Sequence, residues 1–271
     1  MSNNNVNLTQ KDKFAPTPQF IAYLDILGYK QKIGKNGEHA AKLARTIDDH
    51  IKRIKRSTTE LDLKEMKYVD GDIKMKAFSD NILLCSESNW YSLFSLVAIL
   101  QGRMAEDGMF IRGSMCHGQL YFDNEFVCGQ GIVLAHEIEN DIAIYPRIIV
   151  HQTYIDAVNE KLSEKQLEPL SEYDYIGATS QVWCDFDGYR VLDYLLLSNK
   201  LAPYQDKPNE IVKKHKEHIV NELKTTPLER VRQKFLWSRN YHNCFIDRAT
   251  AMGFPVGEYY ISDMEVNKNG N

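Results

Sequence analysis

The period of hydrophobic and polar positions changes several times along the chain. A polar, Asn-rich lead over residues 1–18 ends in Pro16 and Pro18 and reads as a flexible tail. Then comes Phe20-Ile-Ala-Tyr-Leu-Asp-Ile-Leu-Gly28, which is apolar on both faces except at Asp25. Such a run predicts a central strand covered on both sides, closed by Gly28. From Tyr29 to about Lys67, apolar residues recur at spacings of three and four: Ala40, Ala41, Leu43, Ala44, Ile47, Ile51 and Ile54. That spacing predicts an amphipathic helix, with the basic run Lys52–Arg56 on its solvated face. Asp70-Gly71-Asp72 marks a turn, and Ile73–Cys85 then alternates around the interruption Ser79-Asp80-Asn81. Two short strands joined by a tight polar turn fit this best.

Helical periods over Trp90–Glu106, Gly131–Glu139 and Gln152–Leu162 follow. Between them lie strand-like segments at Phe110–Gly118, Gln119–Phe122, Glu125–Cys128 and Tyr145–His151, with Gly or Asp-Asn turns. After residue 165 a loop-rich stretch leads to strand-like Tyr189–Leu197 and to helical segments around Pro208–Leu223 and Pro227–Ala249. The alternation predicts an α+β or α/β sandwich with helices on a mixed sheet, with α+β and a mixed or antiparallel sheet as the fold class expected. The expected organisation is a tail over 1–18, a core over 19–165, and a C-terminal α/β extension over 166–271 packed on that core. No repeat and no Gly/Ser/Pro-rich linker divides the chain.

Composition narrows the classes without choosing an activity. The chain has 271 residues, 43% hydrophobic and 26% charged, with a formal net charge of −4. No global basic field argues for nucleic acid as a partner. The longest apolar runs, such as Leu93–Leu100 and Ile142–Val150, stop short of the roughly 20 residues a membrane span needs. The lead lacks the apolar centre of a signal peptide. The five cysteines include no CxxC pair, and read as reduced thiols in a cytoplasmic protein.

The informative feature is a pair of acids in apolar settings. Asp25 sits inside Tyr23-Leu24-Asp25-Ile26-Leu27, and Asp80 sits at the tip of Lys76-Ala-Phe-Ser-Asp-Asn-Ile-Leu-Leu84. A carboxylate among such neighbours is costly unless paired, hydrogen-bonded or bound to a metal. Two carboxylates brought side by side by one sheet repel, and a divalent cation removes the conflict. Hard oxygen ligands suit Mg²⁺ or Mn²⁺. Taken singly, each acid also fits ordinary turn chemistry.

These residues carry a resemblance. Phe20–Gly28 resembles the opening strand of class III nucleotidyl cyclases, Phe-x-x-x-Asp-Ile-x-Gly-Phe. Lys76–Asp80 resembles their hairpin Lys-x-x-Gly-Asp, with Ser79 in place of the Gly. Phe110–Gly118 resembles their Arg-Ile-Gly-Ile-x-x-Gly strand, and Gly129–Glu139 their Gly-x-x-Val-Asn-x-Ala-x-Arg-Leu-Glu helix. The set Asp-Ile-Leu-Gly, Phe-Ser-Asp, Arg112-Gly-x-x-x-x-Gly118 and Tyr145-Pro-Arg-Ile148 is similar to the divergent pyrimidine cyclases of bacterial anti-phage (Pycsar) systems. Asp185-Phe-Asp-Gly188 and Trp237–Asn243 extend the likeness.

The resemblance implies a class III cyclase-like fold and a reaction that converts UTP or CTP into cyclic UMP or CMP and pyrophosphate. It implies two Mg²⁺ or Mn²⁺ ions bridged by Asp25 and Asp80, with the Ile26 carbonyl as a further ligand and Gly28 near the phosphates. Arg112 and Arg147 are the candidates for the cation expected at the reacting phosphorus. Arginine in an apolar strand also serves simply to pair a buried acid, and Glu137 or Glu139 is a candidate partner for Arg112. Lys76 occupies the base-contact position, and Phe78 is a candidate to pack on the base. A homodimer with shared sites and a separate cyclic-nucleotide-responsive effector are the implied partners. The chain departs from the family at Val133 and Glu137, where the transition-state Asn and Arg would stand. It departs again at Phe126, where an adenine-reading Asp would stand. A purine cyclase and a catalytically inactive cyclase-like module for nucleotide binding or dimerisation remain the alternatives.

Overall fold

A computed structural model describes residues 14–29, 41, 44–49, 52, 73–164, 182–196 and 209–266. Most of the expected helix over 29–67, the turn at 70–72 and the loop after 165 lie outside the described residues.

The described residues form an α+β fold with a mixed eight-stranded sheet. Its strands are β1 (Thr17–Ile26), β2 (Lys74–Phe78), β3 (Asn81–Ser86), β4 (Ile111–Phe122), β5 (Val127–Cys128), β6 (Ile148–Val150), β7 (Val182–Cys184) and β8 (Arg190–Leu192). The order is β2-β3-β1-β4-β6-β8-β7, with β5 paired to β4 off this path. Among the described residues only β4 and β6 run parallel. The interposed helices are α1 (Trp90–Glu106), α2 (Gln130–Asp141) and α3 (Gln152–Glu164). Then come α4 (Glu210–Thr225), α5 (Glu229–Ala251) and the short α6 (Asp263–Val266). No helix among the described residues is long and apolar enough to cross a membrane.

β1 is central, as its two-faced apolarity predicts. Phe20, Ala22, Leu24 and Ile26 pack in the core that contains α1, while Ile21 and Tyr23 pack with Ala135 and Ile138 of α2. Period-two alternation therefore puts Asp25 on the α2 face. α1 is buried nearly all round because the sheet lies on one side and α4 on the other. The edge strand β2 is mostly exposed and carries Lys74 and Lys76, charges that discourage pairing with another edge.

Three segments correct the sequence reading. The strand expected from Phe20 begins at Thr17 and includes Pro18. There β1 pairs with β4 alone, β3 joining only from Phe20, so a residue without an N–H is tolerated. Gly118 makes no turn: β4 runs unbroken for 12 residues. A Cβ at Gly118 would stand 3.0 Å from the Cα of Gly131, so this glycine lets α2 settle on the sheet. The expected strand Tyr189–Leu197 is also shortened. Asp193, fully buried, accepts the Leu196 N–H at 3.3 Å and turns residues 194–196 helical.

The C-terminal helices are tied together by a buried chain of hydrogen bonds. Tyr194 Oη lies 2.6 Å from His215 Nε2, His215 Nδ1 lies 2.9 Å from His242 Nδ1, and His242 Nε2 lies 2.9 Å from the Tyr259 carbonyl. The carbonyl only accepts, so His242 donates from Nε2 and leaves Nδ1 bare. His215 then donates from Nδ1, and Tyr194 donates to its Nε2. Two neutral rings thus satisfy every link of the chain. Burial, aided by His242 and His218, lowers His215 well below the usual imidazole value. Burial lowers His242 to about 4, with the Tyr259 carbonyl opposing.

Two outcomes follow. The unfolded chain binds more protons than the native state between pH ~6.5 and His242's folded value. Stability is therefore complete above that window and declines as pH falls through it, by up to about 1.4 kcal/mol per pH unit per histidine. Urea midpoints from pH 7 to 5 should show a slope that the double variant His215→Phe/His242→Leu flattens; an unchanged slope would refute the neutral chain. Gly113→Ala places a Cβ 2.4 Å from the Tyr23 carbonyl oxygen. It should cost about 1–3 kcal/mol of overpacking by the same measurement.

Candidate functional site

The register of three strands assembles the site. Asp25, near the end of β1, stands opposite Asn81 of β3 and Arg112 of β4. One residue on, the Ile26 N–H donates to the Asp80 carbonyl at 2.9 Å, and the Leu27 N–H donates to the Phe110 carbonyl at 2.9 Å. The β2–β3 hairpin tip is thus drawn onto the end of β1. Ser79 opens the two-residue turn at φ +54°, the left-handed region where such turns favour glycine.

Arg112 joins the acids. Its Nε donates to Asp25 Oδ2 at 2.8 Å, and its Nη2 forms an ion pair with Glu139 Oε1 at 2.5 Å. The three side chains are 19%, 15% and 5% exposed for Arg112, Asp25 and Glu139. Burial raises the Glu139 carboxyl, with Arg112 opposing. The Tyr23 hydroxyl is raised first by burial and then by the charges of Glu139, Asp25 and Asp80, so negative potential gathers here.

Glu139 reaches Arg112 because α2 is pinned along β4. Cys116 Sγ donates to the Gly131 carbonyl at 3.6 Å, Ser114 Oγ to the Ala135 carbonyl at 2.7 Å, and Arg112 Nη1 to the Glu139 carbonyl at 3.4 Å. Two residues of strand advance about 6.6 Å, and four of helix about 6 Å. The two periods match, so alternate inward residues of β4 meet successive turns of α2.

Asp25, Ile26, Gly28, Asp80 and Arg112 line one cleft of about 870 Å³. Gly28 has φ +72°, which carries the chain out of β1 in a tight turn. The opposite wall comes from the chain's far end: Glu222 of α4, Thr226–Leu228, and Arg230, Lys234 and Phe235 of α5.

The other expected site residues stand elsewhere. Lys76 Nζ donates to the Asp123 carbonyl at 3.0 Å and lies 5.4 Å from the Phe122 ring centre. Phe78 ends the edge strand, 47% exposed. Arg147 does not line the cleft. It is 1% exposed, paired with Asp185 and, at 2.6 Å, with Asp187, and its guanidinium lies over Tyr145 and Tyr189. Asp185 also accepts from Trp237 Nε1 at 2.8 Å, and Tyr145 stacks on Trp237. Arg147 therefore anchors α5. Val133 and Glu137 are both exposed on α2, as is Phe126 before β5.

Sequence reasoning missed Lys234, Arg230 and Glu222 as site residues. The available signal was Pro227 opening a helix with cations in its first two turns. Nothing local says that this turn meets a strand some 200 positions earlier.

Among the described residues no group of three or more His, Cys, Asp or Glu side chains could hold a metal ion. On its strand side the cleft offers two carboxylates, Asp25 and Asp80, and backbone oxygens. That set fits a small hard cation such as Mg²⁺, which takes one or two carboxylates and fills its remaining positions with water and substrate oxygens. No protein-family model matches the chain, and no curated protein matches it.

Breaking the ion-paired centre should be costly. Arg112→Met leaves Asp25 and Glu139 facing each other uncompensated, an expected loss of about 3 kcal/mol in urea unfolding. Adding Glu139→Gln should recover part of it. A loss below about 1 kcal/mol would place Arg112 with solvent-compensated surface pairs.

Proposed function

We propose that the protein is a metal-dependent nucleotide cyclase of the class III type, acting on a pyrimidine ribonucleoside triphosphate, UTP or CTP. The observation that carries this reading is the convergence of Asp25 and Asp80 in one cleft, with Arg112 bound to Asp25. The motif resemblance over residues 20–151 supplies the reaction class. The mixed sheet, with β1 between antiparallel β3 and β4, is compatible with that fold.

In the proposed reaction the substrate's 3′-oxygen bonds to its own α-phosphorus. The bond from that phosphorus to the bridging oxygen breaks, pyrophosphate leaves with its electron pair, and the hydroxyl proton passes to solvent. Asp25 and Asp80, with the Ile26 carbonyl, would hold Mg²⁺ or Mn²⁺, which lowers the hydroxyl pKa and neutralises the leaving phosphates when bound. Arg112 keeps the carboxylates of Asp25 and Glu139 from repelling each other and fixes the Asp25 side chain. It also places positive charge beside the reacting phosphorus. Gly28 lets the backbone pass close to the phosphates without a side chain intervening.

Lys76 and Phe78 stand outside the cleft of their own chain. A homodimer sharing its sites would let them serve the cleft of a second copy. In this reading the product is an anti-phage second messenger sensed by a separate effector, in the cytoplasm. One observation favours a second reading: Arg112 already satisfies one oxygen of Asp25, as in a cyclase-like module that binds a nucleotide without turning it over.

The test is incubation of the purified protein with each of the four ribonucleoside triphosphates and Mn²⁺, with products identified by mass. Cyclic UMP or CMP is expected. Asp25→Asn and Asp80→Asn should each lower its formation by at least about a hundredfold, the scale of a lost catalytic group, with the fold retained. Cyclic AMP or GMP as the main product would overturn the pyrimidine assignment, and no turnover would favour the binding module.

A further inference from the structure

The cleft holds a cation that the proposed chemistry above leaves unused. Lys234 sits two turns into α5, is half-buried, and lines the cleft with Asp25, Asp80 and Arg112. Its ammonium makes no hydrogen bond or ion pair among the described residues; the contact made by Ser238 Oγ, at 3.2 Å, is to the Lys234 backbone carbonyl. Burial lowers its pKa, Arg112 and Arg230 lower it further, and Asp25 and Glu139 pull it back up. Those neighbours place the ammonium in the field of the acid centre. The half-buried ammonium gives up part of its water without a partner among the described residues, which leaves its donors free to meet a ligand in the cleft. It is the arrangement of a group kept for a ligand.

The position of Lys234 is fixed from behind. Trp237, one turn further along α5, donates to Asp185, stacks with both Tyr145 and Tyr241, and is 6% exposed. Asp185 is in turn held by the buried Arg147. The next turn toward the N-terminus therefore has little freedom, and Arg230, four residues before Lys234, projects from the same side of the helix into the same cleft. Glu222 of α4 is the acid on that wall.

The ligand chemistry follows from what faces the lysine. Across the cleft, Asp25 and Asp80 are suited to a divalent cation. A ligand that satisfies both walls carries bound metal on one side and spare anionic oxygens on the other, which describes a metal-complexed polyphosphate. The volume of about 870 Å³ admits a molecule of nucleotide size.

We infer that Lys234, assisted by Arg230, binds the polyphosphate of the substrate from the same chain that supplies Asp25 and Asp80. It would thus provide in cis a cation at the leaving phosphates that α2, with Val133 and Glu137 exposed, does not provide. This rests on the cyclase reading for the identity of the substrate, but not for the phosphate site itself. On this account the C-terminal helices are part of the catalytic unit.

Calorimetric titration of the full chain with inorganic tripolyphosphate and Mg²⁺ tests it without turnover. The wild type should bind. Lys234→Ala should weaken binding at least about tenfold, and Lys234→Arg should stay within about threefold, because the charge-assisted contact survives. Lys213→Ala, an exposed lysine on α4, should leave binding unchanged and controls for general electrostatics. Thermal melting confirms the fold of each variant, and Lys234→Gln replaces Lys234→Ala if the latter melts early. Failure of the wild type to bind, or equal binding by the wild type and Lys234→Ala, overturns the inference.

The turnover assay separates the two proposals. Tripolyphosphate binding that depends on Lys234 in a protein that makes no cyclic nucleotide sinks the cyclase and keeps the phosphate site. Cyclic product formed by Lys234→Ala with wild-type kcat and KM sinks the phosphate site and keeps the cyclase.

Discussion

The Arg112 guanidinium is the interaction on which the candidate site depends. It sits between the buried Ile111 and Gly113 of β4, where an unpaired charge would be costly, and its fork reaches Asp25 on β1 and Glu139 on α2. Each acid alone in that setting would also be costly. One guanidinium therefore fixes a central strand, its neighbour and the covering helix at the point where the cleft opens. It does so only because α2 lies at one depth on the sheet, set by the contact of Gly118 with Gly131 and by donors from Cys116 and Ser114 to α2 carbonyls.

A second buried arginine works from the opposite side. Arg147 draws Asp185 and Asp187 of the β7–β8 turn beneath Tyr145, and Asp185 in turn takes the Trp237 N–H. The sheet continues through β8 and β7, so residues beyond 165 extend the same sheet that carries Asp25. The neutral chain Tyr194–His215–His242–Tyr259 locks α4 against α5. These polar networks lie inside apolar packing, where a half-satisfied group is expensive, so they define the helix positions more narrowly than hydrophobic contact alone. The opposite wall of the cleft follows from that placement.

Much of the fold was legible. The period of Trp90–Glu106 matches α1 residue for residue, and Ser79-Asp80-Asn81 marks the hairpin tip. The two-faced apolarity of Phe20–Leu27 announces a central strand. Legibility failed where a residue type serves a partner distant in sequence. Gly118 reads as a turn because glycine usually punctuates, yet it makes room for a helix. Asp193 ends a strand early because a buried carboxylate caps the following turn. Arg112 and Arg147 look alike as single arginines in apolar strands, and only their partners distinguish a cleft residue from an anchor.

The sequence by itself determined most of the elements, the conflict created by Asp25 and Asp80 in apolar surroundings, and the need for a partner to resolve it. Those follow from local periodicity and from the cost of burying charge, which depend on nearest neighbours along the chain. Which cation answers which acid was decided by tertiary structure. Arg112 meets Asp25 through strand register, Arg147 is turned away by Asp185 and Asp187, and Lys234 arrives from more than 150 residues downstream of Asp80. The physical reason is that electrostatic partnership depends on separation in space, and only the packing of sheet and helices converts distance along the chain into that separation.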